Sequence, residues 1–294
     1  MKILFIGSVE FSRRALMKII NIGGDVVGVC ALKESSVNAD FCDLTVSALE
    51  NNIPCCYVDD INSEQSIEWI SKISPDIIFC FGWSRLLTAK ILSIAPMGIV
   101  GFHPAALPAN RGRHPIIWAL ALGLKETAAT FFFMDDGVDS GDILSQARIL
   151  ISDYDDAKSL YEKVVLTASS QIEEFLPQLL CGTHSRIKQD SSETNTWRKR
   201  GRKDGLIDWR MDAKSIHNLV RALTKPYAGA EFNYNGMAIK VWRTEIIFCD
   251  QDNIEPGKVI DVLKLGFPVV KCGKDAIALI EAESVLVITK GAYL

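Results

Sequence analysis

KILFIGS, residues 2–8, is a short apolar run closed by a glycine and a serine. A helical pattern follows, with Phe11, Ala15, Leu16, Ile19 and Ile20 on one face. DVVGVCAL, residues 25–32, is a second apolar run, and DIIFCF, residues 76–81, a third. Between them lie helical patterns over 43–51 and 65–72 and a short strand at 55–58. Runs apolar on both faces, alternating with helices, predict a parallel sheet covered on both sides. Such sheets bind ligands beyond the carboxyl ends of their strands. That rule places Gly7-Ser8, Gly82-Trp83 and the residues after GIVGF, 98–102, on the working edge.

Residues 105–113, AALPANRGR, read as irregular. A helix follows at 115–122, with proline in its first turn. Then come a strand at 127–134, an acidic glycine-containing loop at 135–142, a strand at 143–151 and a long amphipathic helix over 157–180. From 182 to 204 the chain is rich in Ser, Thr and cations and poor in apolar residues, the composition of a linker. Beyond it, one helix (214–223) is joined by five short strands: 229–234, 237–246, 257–263, 267–272 and 276–285. Asn235-Gly236, Pro256-Gly257 and Gly273-Lys274 punctuate them as turns. The expectation is an α/β chain: a Rossmann-like parallel-sheet domain at 1–182, a linker at 183–203, and a small OB-like β-barrel domain at 204–294.

Composition narrows the chemistry. Of 294 residues, 48% are hydrophobic and 23% charged, which supports large cores and argues against disorder. The net charge is −4, a poor match to a general nucleic-acid binder. Eight cysteines form no C-x-x-C pair, and the four histidines are not grouped like metal ligands, so no metal site is expected. The amino-terminal run is too short for a signal peptide, and no run of 18 apolar residues occurs. A cytoplasmic protein with reduced thiols and no membrane association is expected.

Two stretches carry chemistry: GFHPAALPANRGRHP, 101–115, and MDDGVDSGD, 134–142. His103 stands where a strand meets the ligand edge, and an imidazole there exchanges a proton near neutral pH. A carboxylate beside it would orient the ring and hold its charge. On these residues alone, a structural histidine and a solvated acidic turn remain open alternatives.

Both stretches resemble the signature of the folate-dependent formyltransferases, which include methionyl-tRNA, glycinamide-ribonucleotide and nucleotide-sugar enzymes. The family pattern runs approximately Asn-x-His-x-Ser-x-Leu-Pro, then Arg-Gly, with an aspartate 36 residues after the histidine; here 103 + 36 gives Asp139. GWSRLL, 82–87, is similar to the family's pterin-binding segment. DGLIDW (204–209), His217-Asn218, Arg221, KPYAGA (225–230) and Val241-Trp242 resemble the carboxyl-terminal domain of the tRNA and nucleotide-sugar enzymes. The resemblance implies N10-formyltetrahydrofolate as donor and His103 and Asp139 as catalytic residues. It implies pterin contacts at Trp83, Ser84, Arg85, Leu86, Leu87, Leu107, Pro108, Asp136, Gly137 and Val138.

The chain departs from the pattern at Gly101, where the family has asparagine. Losing a side-chain oxyanion donor costs on the order of 10²–10³ in rate unless something replaces it. Asn110 is the nearby candidate. The alternatives are a folate-binding pseudoenzyme or a hydrolase that releases formate.

For the acceptor, residues 203–294 hold twelve Lys/Arg and twelve Asp/Glu, so the tail has no excess of cations for tRNA. This favours a small phosphorylated amine over methionyl-tRNA. Arg111 and Arg113 suit a diphosphate, Ser8 an anion at a helix start, and Phe11 a base or sugar. The two-domain layout resembles enzymes that formylate 4-amino-4,6-dideoxy sugars for surface polysaccharides. A UDP-linked sugar of the pseudaminic-acid type is the specific expectation.

Overall fold

The computed structural model describes residues 1–35, 39–283 and 287–294. The end of the strand expected over 276–285 falls outside the described residues. The chain forms two compact units. The first comprises residues 1–112, 127–149 and 162–197; the second comprises 113–126, 150–161 and 198–294.

The first unit is built on strands β1 (Lys2–Ile6), β2 (Asp25–Ala31), β3 (Cys55–Tyr57), β4 (Ile77–Cys80) and β5 (Ile99–His103). A two-residue strand, β6 (Arg111–Gly112), precedes β7 (Glu126–Phe133) and β8 (Ile143–Leu150). The sheet order is β3-β2-β1-β4-β5-β7-β8. Strands β1 to β5 run parallel, and β7 lies antiparallel to β5 with His103 opposite Thr130. Because β1, β4 and β5 are adjacent and parallel, residues 7–8, 82–83 and 103–104 emerge on one edge, as the apolar runs imply.

Helices α1 (Glu10–Asn21), α2 (Leu44–Glu50), α3 (Glu64–Ile73) and the one-turn α4 (Ala89–Leu92) alternate with these strands. Sheet burial is what stabilises the arrangement. Phe5, Phe79, Phe81 and Phe131 are fully buried, and their rings meet mostly edge to face. Gly101 sits in the middle of β5, opposite Phe132 on β7.

In the second unit, α5 (Pro115–Ala121) packs on α7 (Ala213–Leu223). Between them in sequence run α6 (Ala157–Cys181), most of which belongs to the first unit, and β9 (Thr196–Trp197). Strands β10 (Ala230–Tyr234), β11 (Met237–Ile247), β12 (Val259–Val262), β13 (Pro268–Lys271) and β14 (Ala276–Ala282) form an antiparallel sheet ordered β10-β11-β14-β13-β12. Asn235 and Gly236 both take positive φ in the β10–β11 turn, the conformation that an Asn-Gly hairpin favours. The Asp212 carboxylate caps α7 by accepting the Ser215 N–H at 2.6 Å. Buried Arg221 is not left unpaired: it donates to Asn218 Oδ1 and to the carbonyls of Ser152 and Asp155. The fold class is thus the expected one, a Rossmann-like α/β unit followed by a small antiparallel β domain.

Candidate active site

His103 closes β5 with its side chain buried, 5% of the residue being exposed. Its Nε2 lies 2.8 Å from the Asn110 carbonyl oxygen. A carbonyl only accepts, so Nε2 carries the proton and donates it. Its Nδ1 lies 3.6 Å from Asp139 Oδ2. That separation is an ion-pair distance, longer than a hydrogen bond. Asp139 Oδ2 also accepts the Gly112 N–H at 2.9 Å, which fixes the carboxylate while it faces the ring. Asp139 itself sits at φ +52, inside a turn where Asp135 Oδ1 accepts the Gly137 N–H and the Ser140 hydroxyl.

The segment from His103 to Gly112 is held from two sides. From β7, the Thr130 hydroxyl donates to the Ala105 carbonyl at 2.7 Å. From β8, the Gln146 amide donates to the Leu107 carbonyl at 2.8 Å and to Thr130 Oγ1. From the polar stretch 183–203 comes β9, which pairs in parallel with β6. Asn195 Oδ1 accepts the Asn110 N–H at 2.7 Å, and Gln189 Oε1 accepts from the Arg111 guanidinium at 2.6 Å. Gly112 is required at its position, because its φ is +99 and a Cβ would lie 2.4 Å from the Trp197 carbonyl.

Gly101 is closely covered by side chains. A Cβ there would meet Met134 Cγ and Phe132 Cζ, each at 3.0 Å. Leu107, Phe132 and Ile143 form a small apolar cluster on which Met134 packs. The position that the family pattern gives to asparagine is covered by an aromatic ring and a thioether. Asn110 contributes its backbone carbonyl to His103.

The expected donor-binding residues lie on two loops. Ser84, Arg85 and Leu86 are exposed, and the Leu86 side chain is out in solvent while its carbonyl is tied to the Asn62 amide at 2.9 Å. Asn62 Oδ1 also accepts the Thr88 N–H, so one asparagine shapes this loop. Leu87 is buried, and Trp83 packs against the same core with its indole Nε1 buried and lacking a partner among the described residues. Asp136, Gly137 and Val138 are exposed on the turn that carries Asp139. Pro108 follows buried Leu107 through a cis peptide bond.

Two residues expected at the substrate are buried. Ser8 is fully buried, and its hydroxyl donates to the Gly82 carbonyl, tying the end of β1 to the end of β4. It offers no hydroxyl to an anion. Phe11 is buried and lies against Phe102 at 4.2 Å between ring centres, so it is core and not a stacking platform. Arg111 stands beside the His103 segment, whereas Arg113 falls in the second unit. Asn62, Thr130, Gln146, Gln189 and Asn195 were not expected. Each is a polar residue in a polar or mixed stretch, and only contact with a distant backbone group marks it. Among the described residues no group of His, Cys, Asp or Glu is arranged to hold a metal, and no helix is long and apolar enough to cross a membrane.

Residues 1–176 match the formyl transferase family, and residues 200–284 match the formyl transferase C-terminal domain. The chain is 32% identical over 285 residues to the bifunctional polymyxin resistance protein ArnA of Wigglesworthia glossinidia brevipalpis. That alignment covers 96% of this chain and only 43% of the relative, so the chain spans less than half of that protein. Among solved structures, the N-formyltransferase of Helicobacter canadensis, in complex with folinic acid and dTDP-3-aminofucose, superposes with a TM-score of 0.70 at 17% identity. It covers 95% of this chain and 98% of its own. The sugar 3N-formyltransferase WlaRD, in the presence of dTDP and 5-N-formyl-THF, gives 0.69 at 18% identity, covering 97% and 99%. The methionyl-tRNA formyltransferase of Clostridium thermocellum gives 0.61 at 20%, covering 84% and 93%. At these identities the structural likenesses establish the fold.

Proposed function

The chain belongs to the formyl transferase family, and from that premise we propose that it moves the formyl group of N10-formyltetrahydrofolate onto the amine of a nucleotide-linked amino sugar. The observation that carries this reading is His103 held between the Asn110 carbonyl and the Asp139 carboxylate on a formyl transferase fold. Folinic acid with dTDP-3-aminofucose accompanies one of the similar structures, and dTDP with 5-N-formyl-THF another; both match this chain nearly end to end. The balanced charge of the carboxyl-terminal region, argued above, speaks against tRNA.

The residues present fit such a donor. The unpartnered Trp83 indole N–H and the exposed apolar side chains of Leu86 and Val138 are features that a bound pterin and its carbonyl groups would satisfy. Ser84 to Leu87 and Asp136 to Val138 would hold the donor, with Leu107 and Pro108 beneath it. When bound, the donor supplies an activated formyl carbon for attack by the unprotonated amine.

His103 then manages the proton. The amine loses a proton as its nitrogen bonds to the formyl carbon, and the departing nitrogen gains one. In the neutral ring, Nε2 keeps its hydrogen on the Asn110 carbonyl and Nδ1 is the free base. A proton taken at Nδ1 gives an imidazolium that donates at both ends, with Asp139 Oδ2 facing the new N–H. Asp139 is oriented for this by the Gly112 N–H, and it holds the charge until the proton passes to the leaving nitrogen. In this reading Arg111, whose guanidinium Gln189 Oε1 holds beside the His103 segment, would meet the acceptor's phosphates, and UDP is the carrier expected from the sequence.

The test is mass spectrometry of the protein incubated with N10-formyltetrahydrofolate and a panel of UDP-, dTDP-, GDP- and CMP-linked amino sugars, with methionyl-tRNA alongside. One added formyl group on a sugar nucleotide, absent with His103→Ala, is the expected result. Formylation of methionyl-tRNA alone would overturn the acceptor class. Free formate in place of a formylated acceptor would make the protein a hydrolase.

A further inference from the structure

Residues 186–197 act as a strap across the candidate active site. Ile187 exchanges both backbone hydrogen bonds with Ile143, at 2.8 and 2.9 Å, which anchors one end. The Arg186 guanidinium lies over the Phe133 ring, 3.5 Å from its centre, at the same end. At the other end, Thr196 and Trp197 pair with Arg111 and Gly112, and Trp197 is buried. Between these anchors, two side chains reach the two segments that face His103.

Gln189 is fully used. Its Nε2 donates to the carbonyls of Asp139 at 2.9 Å and Gly141 at 2.7 Å, while its Oε1 accepts from Arg111 Nη2 at 2.6 Å and from Nε at 3.2 Å. Asn195 holds the other partner. Its Oδ1 accepts the Asn110 N–H, and its own carbonyl accepts the Arg111 N–H at 3.1 Å. Asn110 has positive φ, a conformation that asparagine adopts more readily than other non-glycine residues. The carbonyl that meets His103 Nε2 belongs to this same residue. The carboxylate facing Nδ1 belongs to the residue whose carbonyl Gln189 holds.

We propose that Gln189 and Asn195 are positioning residues that set the tautomer and orientation of His103, Asn195 through the Asn110 carbonyl and Gln189 through the Asp139 turn. The inference rests on the reading of His103 given above, and it adds that the strap is part of the reaction machinery. Neither side chain contacts the imidazole. Each holds one of its two partners, so losing either hold lets a partner drift, and a misplacement of about 1 Å is worth on the order of 10² in rate.

Three substitutions separate this role from simple bracing. Asn195→Asp keeps the oxygen that accepts the Asn110 N–H, while Asn195→Leu removes it. Gln189→Glu keeps the acceptor for Arg111 but sets a carboxylate against two carbonyls and loses both donors. The first readout needs no substrate: ¹⁵N-histidine NMR of the full chain, with His103 assigned by comparison with His103→Ala. Wild type and Asn195→Asp are expected to show His103 protonated at Nε2. Asn195→Leu is expected to show a mixture of the two neutral tautomers, and Gln189→Glu a shifted Nδ1 signal. The second readout is steady-state transfer to whichever acceptor of the panel the wild type formylates. Asn195→Leu and Gln189→Glu should lower kcat by about 10–10²-fold with KM for donor and acceptor little changed, and Asn195→Asp should restore most of it. His103 signals and kcat unchanged in both Asn195→Leu and Gln189→Glu, with His103→Ala inactive, would overturn this inference and leave the earlier reading standing. Full activity in His103→Ala would overturn both.

Discussion

Strand β5 and the strap at 186–197 serve the same histidine in opposite ways. β5 is an apolar run, buried between β4 and β7 and held by sheet hydrogen bonds, and it delivers His103 at a fixed place on the ligand edge. The strap is polar and largely exposed, and it delivers the partners of His103 through individual bonds from Gln189, Asn195 and β9. The first placement follows from burial, which is non-directional and tolerates small changes of side chain. The second depends on directional contacts, each of which fails singly when one atom is removed. A reactive group can therefore be fixed by the core of a sheet while its chemistry is set by a segment with the composition of a linker.

The largest expected effects come from the groups that meet at the centre. His103→Ala should lower the rate of transfer by at least about 10³-fold, with donor affinity retained by equilibrium binding. Asp139→Asn keeps an oxygen for the Gly112 N–H but removes the charge facing Nδ1. It should cost roughly 10²–10³-fold in kcat, and a loss below tenfold would show that the carboxylate only shapes the turn.

Gly112→Ala attacks the junction of the two regions. Its φ and the nearby Trp197 carbonyl predict a destabilisation of about 1–3 kcal/mol in denaturant unfolding, together with a fall in kcat. Gly101→Asn attacks β5 instead. The amide would enter space held by Phe132 and Met134, so a destabilisation of about 1–3 kcal/mol and no gain in kcat are expected. A rise in kcat would mean that the pocket yields and that the glycine is a correctable loss.

The smallest effect belongs to the second unit. Burial holds His217 below its ordinary value of 6.5, with the Arg221 and Lys214 charges adding to the effect. The folded state therefore resists protonation while the unfolded chain takes up a proton near 6.5. Stability is full above that pH and falls as the pH drops below it. His217→Gln can keep the contact with Thr244 and removes the titration, so its unfolding free energy should fall less between neutral and mildly acidic pH.

Much of this was legible in the sequence, and the limits have physical causes. The apolar runs at 2–6, 76–81 and 98–102 gave the parallel sheet, because strands buried on both faces carry no other pattern. His103 and Asp139 came from motif spacing and do meet in space. For Ser8 and Phe11 the sequence does not say which face the side chain takes, because a residue at a ligand edge has two. Both turn inward. Asn110, only a possible replacement for the missing amide on the sequence, meets the histidine through its backbone carbonyl. Gln189 and Asn195 were invisible because a polar stretch looks the same whether its side chains end in water or on a carbonyl far away in sequence.

The central claim is that His103, set between Asn110 and Asp139, carries the proton during formyl transfer. Single-turnover transfer from N10-formyltetrahydrofolate to the nucleotide-linked amino sugar, followed by mass spectrometry in wild type, His103→Ala and Asp139→Asn, tests it most directly. The account predicts a formylated sugar nucleotide from wild type, at least about 10³-fold slower transfer in His103→Ala, and an intermediate rate in Asp139→Asn, with the donor bound in all three. Equal rates in wild type and His103→Ala would contradict it.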